Sequence, residues 1–258
     1  MSIISESEYL KSLESARLVQ LGLLPKKRHL NKVIPNSFVI YEPKDYVSGD
    51  FYWVGNKNDL SYIVLGDCTG HGISAALLSV LALNLFEYVI MNKGLKRVDK
   101  ILCEVDKKFI ESFKGEEDIL DNPWIDLAIV AIDKENNKVY FSSANRKALL
   151  VKKNGHDEIF KGSKYPIGGW QIEKERSFAP TIIPFQKGDI IYLGSDGFQD
   201  QIGGTRGKKY KSKQLHQLLV QISQLPLSLQ KSTLEKELKS WKGKESQTDD
   251  VCLMGIRL

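Results

Sequence analysis

The sequence is poor in the residues that most zinc and thiol chemistry draws on. It has three cysteines and four histidines among 258 residues. Cys68, Cys103 and Cys252 cannot pair completely, which argues against a disulfide framework. His29, His71, His156 and His216 are scattered along the chain, so a His-rich zinc site is excluded. There is no low-complexity tract and no repeat at solenoid or propeller spacing. The amino terminus runs through Ser5-Glu6-Ser7-Glu8 rather than from basic to apolar, so no signal peptide and a cytoplasmic location are expected. Charge of one sign is also scarce in excess: 37 basic against 32 acidic residues leave a net +5. Arg206, Lys208, Lys209, Lys211 and Lys213 form the nearest thing to a basic run, with Tyr210 its only aromatic neighbour. It is expected to be a solvated loop, with no nucleic-acid partner.

One long hydrophobic run does occur, from Ile73 to Met91. It carries Ser74, Ser79, Asn84 and Glu87, starts right after Gly70-His71-Gly72 and stops at Asn92-Lys93-Gly94. A buried central helix is expected rather than a membrane span. Residues 5–24 carry Leu10, Leu13, Ala16, Val19 and Leu23 at spacings of three and four, the pattern of an amphipathic helix ended by Pro25. The basic stretch Lys26-Lys27-Arg28 then reads as a connector. Such a helix must cover its stripe on its own domain or on another chain.

Strand patterns follow at 37–41, 50–54, 60–65, 125–132, 138–142, 147–152, 189–193 and 251–258, with helices at 96–113, 212–223 and 227–241. Asn154-Gly155 predicts a two-residue hairpin turn. Hairpin-linked strands with helices in separate blocks imply an α/β fold of antiparallel sheets covered by helices. The expected organisation is a helix over 1–30 followed by one domain over 31–258.

Four strand ends carry aspartates beside glycine or a second aspartate: Ser48-Gly49-Asp50, Gly66-Asp67, Ser195-Asp196-Gly197 and Thr248-Asp249-Asp250. Asp-Gly pairs are common turn formers, but each aspartate here joins an apolar strand. If they converge, any two about 5 Å apart repel by roughly 3 kcal/mol at an effective dielectric near 20. Their pKa values must rise, or cations must sit between them. Oxygen ligands of this kind suit Mg²⁺ or Mn²⁺. In Asp67-Cys68-Thr69-Gly70-His71-Gly72 the glycines allow a tight turn before the apolar helix. Cys68 is not expected to be a phosphatase nucleophile, because Ser74 stands where a phosphate-loop arginine would be needed. His71 is either a general acid or a residue packing at the helix start.

These four motifs, with Ala144-Asn145 and Pro166-Ile167-Gly168-Gly169 between them, resemble the PPM-type phosphatases, and within them the SpoIIE/RsbU-like bacterial branch. The resemblance covers about residues 31–258, and residues 16–25 are similar to the branch's upstream linker helix. Two departures stand out: Trp53 where many members have Asp, and Ser48 where Gly is common. The resemblance implies an α-β-β-α sandwich of two antiparallel sheets and a site for two Mn²⁺ or Mg²⁺ ions. Asp67 would bridge them, Asp196 and Asp249 would complete one site, and Asp50 with the Cys68 carbonyl would serve the other. It further implies phosphoserine or phosphothreonine hydrolysis by a hydroxide held between the ions. The implied protein substrate is an anti-sigma-factor antagonist, and the helix would contact a homodimer partner or an upstream sensory element. Two other functions share these residues: a catalytically weak metal-binding module that holds a signalling partner, and a metal-dependent nuclease or small-phosphoester hydrolase.

Overall fold

The computed structural model describes residues 6–113, 122–170, 172–173 and 175–258. Two helices, α1 (Glu6–Leu23) and α2 (Lys27–Val33), lead into strands β1 (Ser37–Glu42), β2 (Asp50–Lys57) and β3 (Leu60–Cys68). Helix α3 (Ile73–Phe86) runs into a π-helical turn, Glu87–Asn92, and is followed by α4 (Val98–Glu111). Then come β4 (Trp124–Asp133), β5 (Lys138–Ala144), β6 (Lys147–Val151), β7 (Asp157–Lys161), β8 (Ile167–Gly168), β9 (Thr181–Pro184) and β10 (Ile190–Gly194). The short α5 (Gly197–Asp200), the small hairpin β11 (Ile202–Gly203) and β12 (Lys208–Lys209), α6 (Ser212–Ile222), α7 (Leu227–Lys242) and β13 (Val251–Arg257) complete the chain.

The strands form two antiparallel sheets, β1-β13-β10-β6-β7 and β2-β3-β4-β5-β9, with β8 paired to β4. Helices α3 and α4 cover the second sheet, while α6 and α7 pack on the first. The expected α-β-β-α sandwich is therefore present. Alternation along single strands explains it. In β10, Ile191 and Leu193 face the inter-sheet core, while Ile190 and Tyr192 join the layer under α6 and α7. In β13, Cys252, Met254 and Ile256 face inward and Val251 and Leu253 outward. A strand buried on both faces has no polar side to show, which is why these two read as continuous apolar runs.

Two local expectations are corrected. The basic stretch at 26–28 is not a plain connector: Lys26 stands at the N-terminus of α2, which seats Val33 and Ile34 in the core. His29 Nε2 donates to the Val54 carbonyl at 3.0 Å and ties that helix to β2. The hairpin between β6 and β7 is wider than two residues, because the Lys152 N–H donates to the His156 carbonyl and leaves 153–155 in the turn. Only Gly155 there takes a left-handed φ, 87°, whereas a type I′ turn needs two such residues.

The run Ile73–Asn92 is long and apolar enough to cross a membrane by length and composition, and half of its most apolar window is buried inside the protein. The expected stripe of α1 is not what holds that helix. Leu10, Val19 and Leu23 are exposed, whereas the one buried residue of α1 is Gln20. Its amide donates to the Ser48 carbonyl at 2.6 Å and to the Ser79 hydroxyl at 3.0 Å, and its oxygen accepts the Ser48 N–H at 3.0 Å. A buried amide so completely paired leaves unmet partners when it is removed, at a loss of about 1–3 kcal/mol. Gln20→Ala is therefore expected to lower the thermal midpoint by several degrees, measured by calorimetry, while Arg17→Ala on the exposed face leaves it within about a degree.

Candidate metal centre

Strand register builds half of the site. Asp50 at the start of β2 lies opposite Asp67 near the end of β3, and Asp67 lies opposite Asp126 near the start of β4. Directly opposed residues of antiparallel strands have Cα atoms only about 4.5–5.5 Å apart, so three carboxylates stand in a row across one sheet edge. The loop beyond Asp67 is fastened to β4, since the Thr69 N–H donates to the Trp124 carbonyl at 2.9 Å. In that loop Gly70 and Gly72 take left-handed φ values of 84° and 77°. Asp126 is a residue the sequence reading does not single out. The available signal was a lone acid inside the apolar run Trp124-Ile125-Asp126-Leu127-Ala128, but it needs the register to mean anything.

The other sheet supplies the facing half. Asp196 follows β10, and Asp249 and Asp250 precede β13. Gly197 is required by close packing, since a Cβ there would come 1.8 Å from the Asp250 carbonyl oxygen. The adjacent acids have different work. Asp250 accepts the Lys44 N–H on one oxygen and the Gly49 N–H on the other, both at 2.7 Å, and so staples the approach to β2. Asp249 accepts the Asp250 N–H at 2.8 Å through Oδ1, and its Oδ2 takes no hydrogen bond or ion pair among the described residues. Ser195 joins the sheets: its hydroxyl donates to Asp50 Oδ2 at 2.6 Å and accepts the Cys252 N–H at 3.0 Å.

Arg146, in the crossover from β5 to β6, stands among these acids. It is ion-paired in close contact with Asp67, at 3.1 Å with Asp196 and at 3.8 Å with Asp126. Asp67 is pushed up to about 8, mainly by burial, with Asp196, Asp249 and Asp126 adding to the rise and Arg146 opposing it. Asp50 is raised well above the carboxylate range, first by burial and then by Asp67. Burial likewise raises Asp126 and Asp249. Burial lowers the Arg146 pKa, but the three acids around it outweigh that and raise it overall.

The donor set fits a hard divalent cation. Asp50 Oδ1 and Asp126 Oδ1 are buried with no hydrogen-bond partner among the described residues, an arrangement that costs free energy unless a cation or proton satisfies it. Among the described residues no three Asp, Glu, His or Cys side chains yet close around a single point; the acids stand around the guanidinium instead. Gly49 packs under this site, where a Cβ would lie 3.1 Å from the Cys68 carbonyl oxygen. The Cys68 thiol is fully buried and burial holds its pKa well above the ordinary thiol value, so it carries no thiolate. His71 is exposed, with Nδ1 3.8 Å from an Asp45 oxygen, and makes no contact with the five acids.

Comparison with known proteins places the fold and the family. The chain is 24% identical over 246 residues to phosphoserine phosphatase RsbP of Bacillus subtilis (strain 168), covering 95% of this chain and 57% of that protein. The chain thus spans little more than half of that relative's length. The SiaA-PP2C domain of Pseudomonas aeruginosa superposes with a TM-score of 0.87 at 27% identity, over 98% of both chains. The PP2C phosphatase domain of SpoIIE from Bacillus subtilis, solved with a fragment of its regulatory domain, superposes at 0.67 and 18% identity, over 86% of this chain and 63% of that one. The sequence model of stage II sporulation protein E matches residues 57–258, which include Asp67, Asp126, Arg146, Asp196 and Asp249, and the chain belongs to the SpoIIE family.

Proposed function

We propose that this domain is a divalent-metal-dependent phosphatase acting on phosphoserine or phosphothreonine of a signalling protein, with an anti-sigma-factor antagonist as its target class. The observation that carries the reading is the row Asp50–Asp67–Asp126 faced by Asp196 and Asp249, with a buried Asp50 oxygen left unpaired. Oxygen-only donors favour Mg²⁺ or Mn²⁺, and two such ions fit this number of acids. Asp67, central in the row, would bridge them. Asp196 and Asp249 would hold one, and Asp50 with the Cys68 carbonyl the other. The similarity to a phosphoserine phosphatase supports the same chemistry.

When bound, such ions polarise phosphoryl oxygens and make water a stronger acid. The chain's own residues do the rest. Ser195 donates to Asp50 Oδ2 and thereby fixes that carboxylate with its other oxygen turned to the site. Asp250, held by two backbone amides, fixes the backbone on which Gly49 and Asp50 sit. Neither the Cys68 thiol, buried and neutral, nor the Ser195 hydroxyl, committed to Asp50, is equipped as a nucleophile. We take water as the group that attacks phosphorus, without a covalent enzyme intermediate, as the family resemblance implies.

Leu18, Val19 and Leu23 of α1 and Ile73 and Leu77 of α3 are exposed, α1 packs beside α3, and we read these side chains as one uncovered face. We take this face as the contact for a second copy of the chain, adjoining the helix whose Gln20 grips Ser48.

Three outcomes test these readings. Hydrolysis of an aryl phosphate and of phosphoserine peptides should require Mn²⁺ or Mg²⁺, and full activity in excess chelator would refute the metal reading. Asp67→Asn and Asp196→Asn should each reduce turnover by about three orders of magnitude or more at saturating metal, whereas Cys68→Ser keeps most of it; metal binding without any turnover would instead identify a binding module. The double variant Val19→Asp, Leu77→Asp should lower the mass seen by light scattering from dimer to monomer, and an unchanged mass removes the self-association reading.

A further inference from the structure

Arg146 is the feature of the cluster that a metal site does not call for. Its side chain is only 11% exposed, and its guanidinium meets Asp67, Asp196 and Asp126 together. The backbone aims it there. Asn145 takes a left-handed φ of 58°, bridges to Leu127 of β4, and donates from its side-chain amide to Asp126 at 2.8 Å. The arginine is therefore delivered to the point where the two sheets meet. Arginine keeps its charge at any pH the fold survives, so this is a permanent cation. The Nε of Arg146 is buried with no hydrogen-bond partner among the described residues, so its seat is set by the carboxylates at its far end and not by a full set of bonds.

A guanidinium and a divalent ion cannot both take Asp67 Oδ2 and Asp196 Oδ2. An open groove of about 420 Å³, bordered by Arg146, Lys147, Ser195, Gln199, Lys213 and His216, lies beside the side chain and gives a displaced guanidinium somewhere to go. We propose that Arg146 is a displaceable internal counter-ion, which neutralises Asp67 and Asp196 when metal is absent and competes with metal for them. It thereby sets the metal concentration at which the site fills. The inference rests on the metal reading above and concerns the affinity of the site rather than its chemistry.

Competition is reciprocal: whatever the carboxylates gain from Arg146 is subtracted from their affinity for metal. Replacing the arginine should thus move two quantities in opposite directions. Metal-free protein would lose stability, and metal would bind more tightly. A residue that merely packs would lower stability with and without metal. A residue that only grips the substrate phosphate would leave metal affinity alone.

The test is isothermal titration of chelator-stripped protein with Mn²⁺, paired with thermal melting in chelator and in saturating Mn²⁺. Arg146→Gln should bind Mn²⁺ about tenfold more tightly than wild type, melt lower in chelator, and melt at or above wild type in Mn²⁺. Arg146→Lys, which keeps the charge but not the forked geometry, should fall between the two and covers the case in which the glutamine variant fails to fold. Affinity that is unchanged or weaker in folded variants overturns the proposal while leaving the metal reading standing. A wild-type protein that takes up no Mn²⁺ overturns both.

Discussion

Mutual repulsion among carboxylates is the constraint around which this molecule is arranged. Asp50, Asp67 and Asp126 are forced side by side by strand register, and Asp196 and Asp249 come at them from the facing sheet, at the ends of β10 and β13. Each close pair costs about 3 kcal/mol at an effective dielectric near 20 if both members are ionised, a large fraction of the net stability of a domain. The surroundings are organised to carry that load. Ser195 donates a hydroxyl to Asp50, Asn145 an amide to Asp126, and Arg146 a full charge to the centre. Glycines at 49 and 197 let backbone approach where a side chain would collide. A divalent cation between the acids would relieve the repulsion further, and it would be the means that also supplies chemistry.

How much of this the sequence discloses depends on the range of the interaction. Local signals were strong. The hairpin β4–β5, the helices α3, α4, α6 and α7, and the closing strand all lie where periodicity predicts them. The four aspartate motifs sit at strand ends as expected because each joins an apolar strand to a tight turn. What escaped is what depends on which strands are neighbours. Asp126 looks like an isolated acid in an apolar strand until the β3–β4 register puts it beside Asp67. Arg146 looks like an ordinary polar residue opening a hairpin, and no spacing in the chain says that this turn crosses between sheets. Gln20 looks like part of the wet face of α1, and only the positions of Ser48 and Ser79 show that it is the buried one.

The adjacent pair Asp249 and Asp250 shows the same division at the finest scale. Sequence leaves them equivalent, and in the structure the bend at Asp249 turns the two side chains to different partners. One therefore turns into the fold, where the amides of Lys44 and Gly49 take both of its oxygens. The other turns toward Asp196 and Asp67 and keeps an oxygen in reserve. An acid whose oxygens both accept short backbone bonds has little left to offer a cation, so hydrogen bonding rather than charge separates the structural aspartate from the one fit to be a ligand.

The N-terminal helix acquires its meaning from the same accounting. Its one buried residue is a saturated amide, and that amide holds the peptide of Ser48, two residues before Asp50. Asp50 is in turn held from the far sheet by Ser195, whose hydroxyl also takes the amide of Cys252 in β13. A line of hydrogen bonds thus runs from α1 through Ser48 and Asp50 to the opposite sheet. Contiguity alone is not coupling, which needs an element with two arrangements whose balance both ends can shift. The helix meets half of that requirement, because Leu10, Leu18, Val19 and Leu23 are exposed while Gln20, Leu21 and Leu24 hold it to the domain. A contact that covered Leu18, Val19 and Leu23 would be paid in buried apolar area, at about 25 cal/mol per Å², and it would act on the strand entrance that sets where Asp50 points.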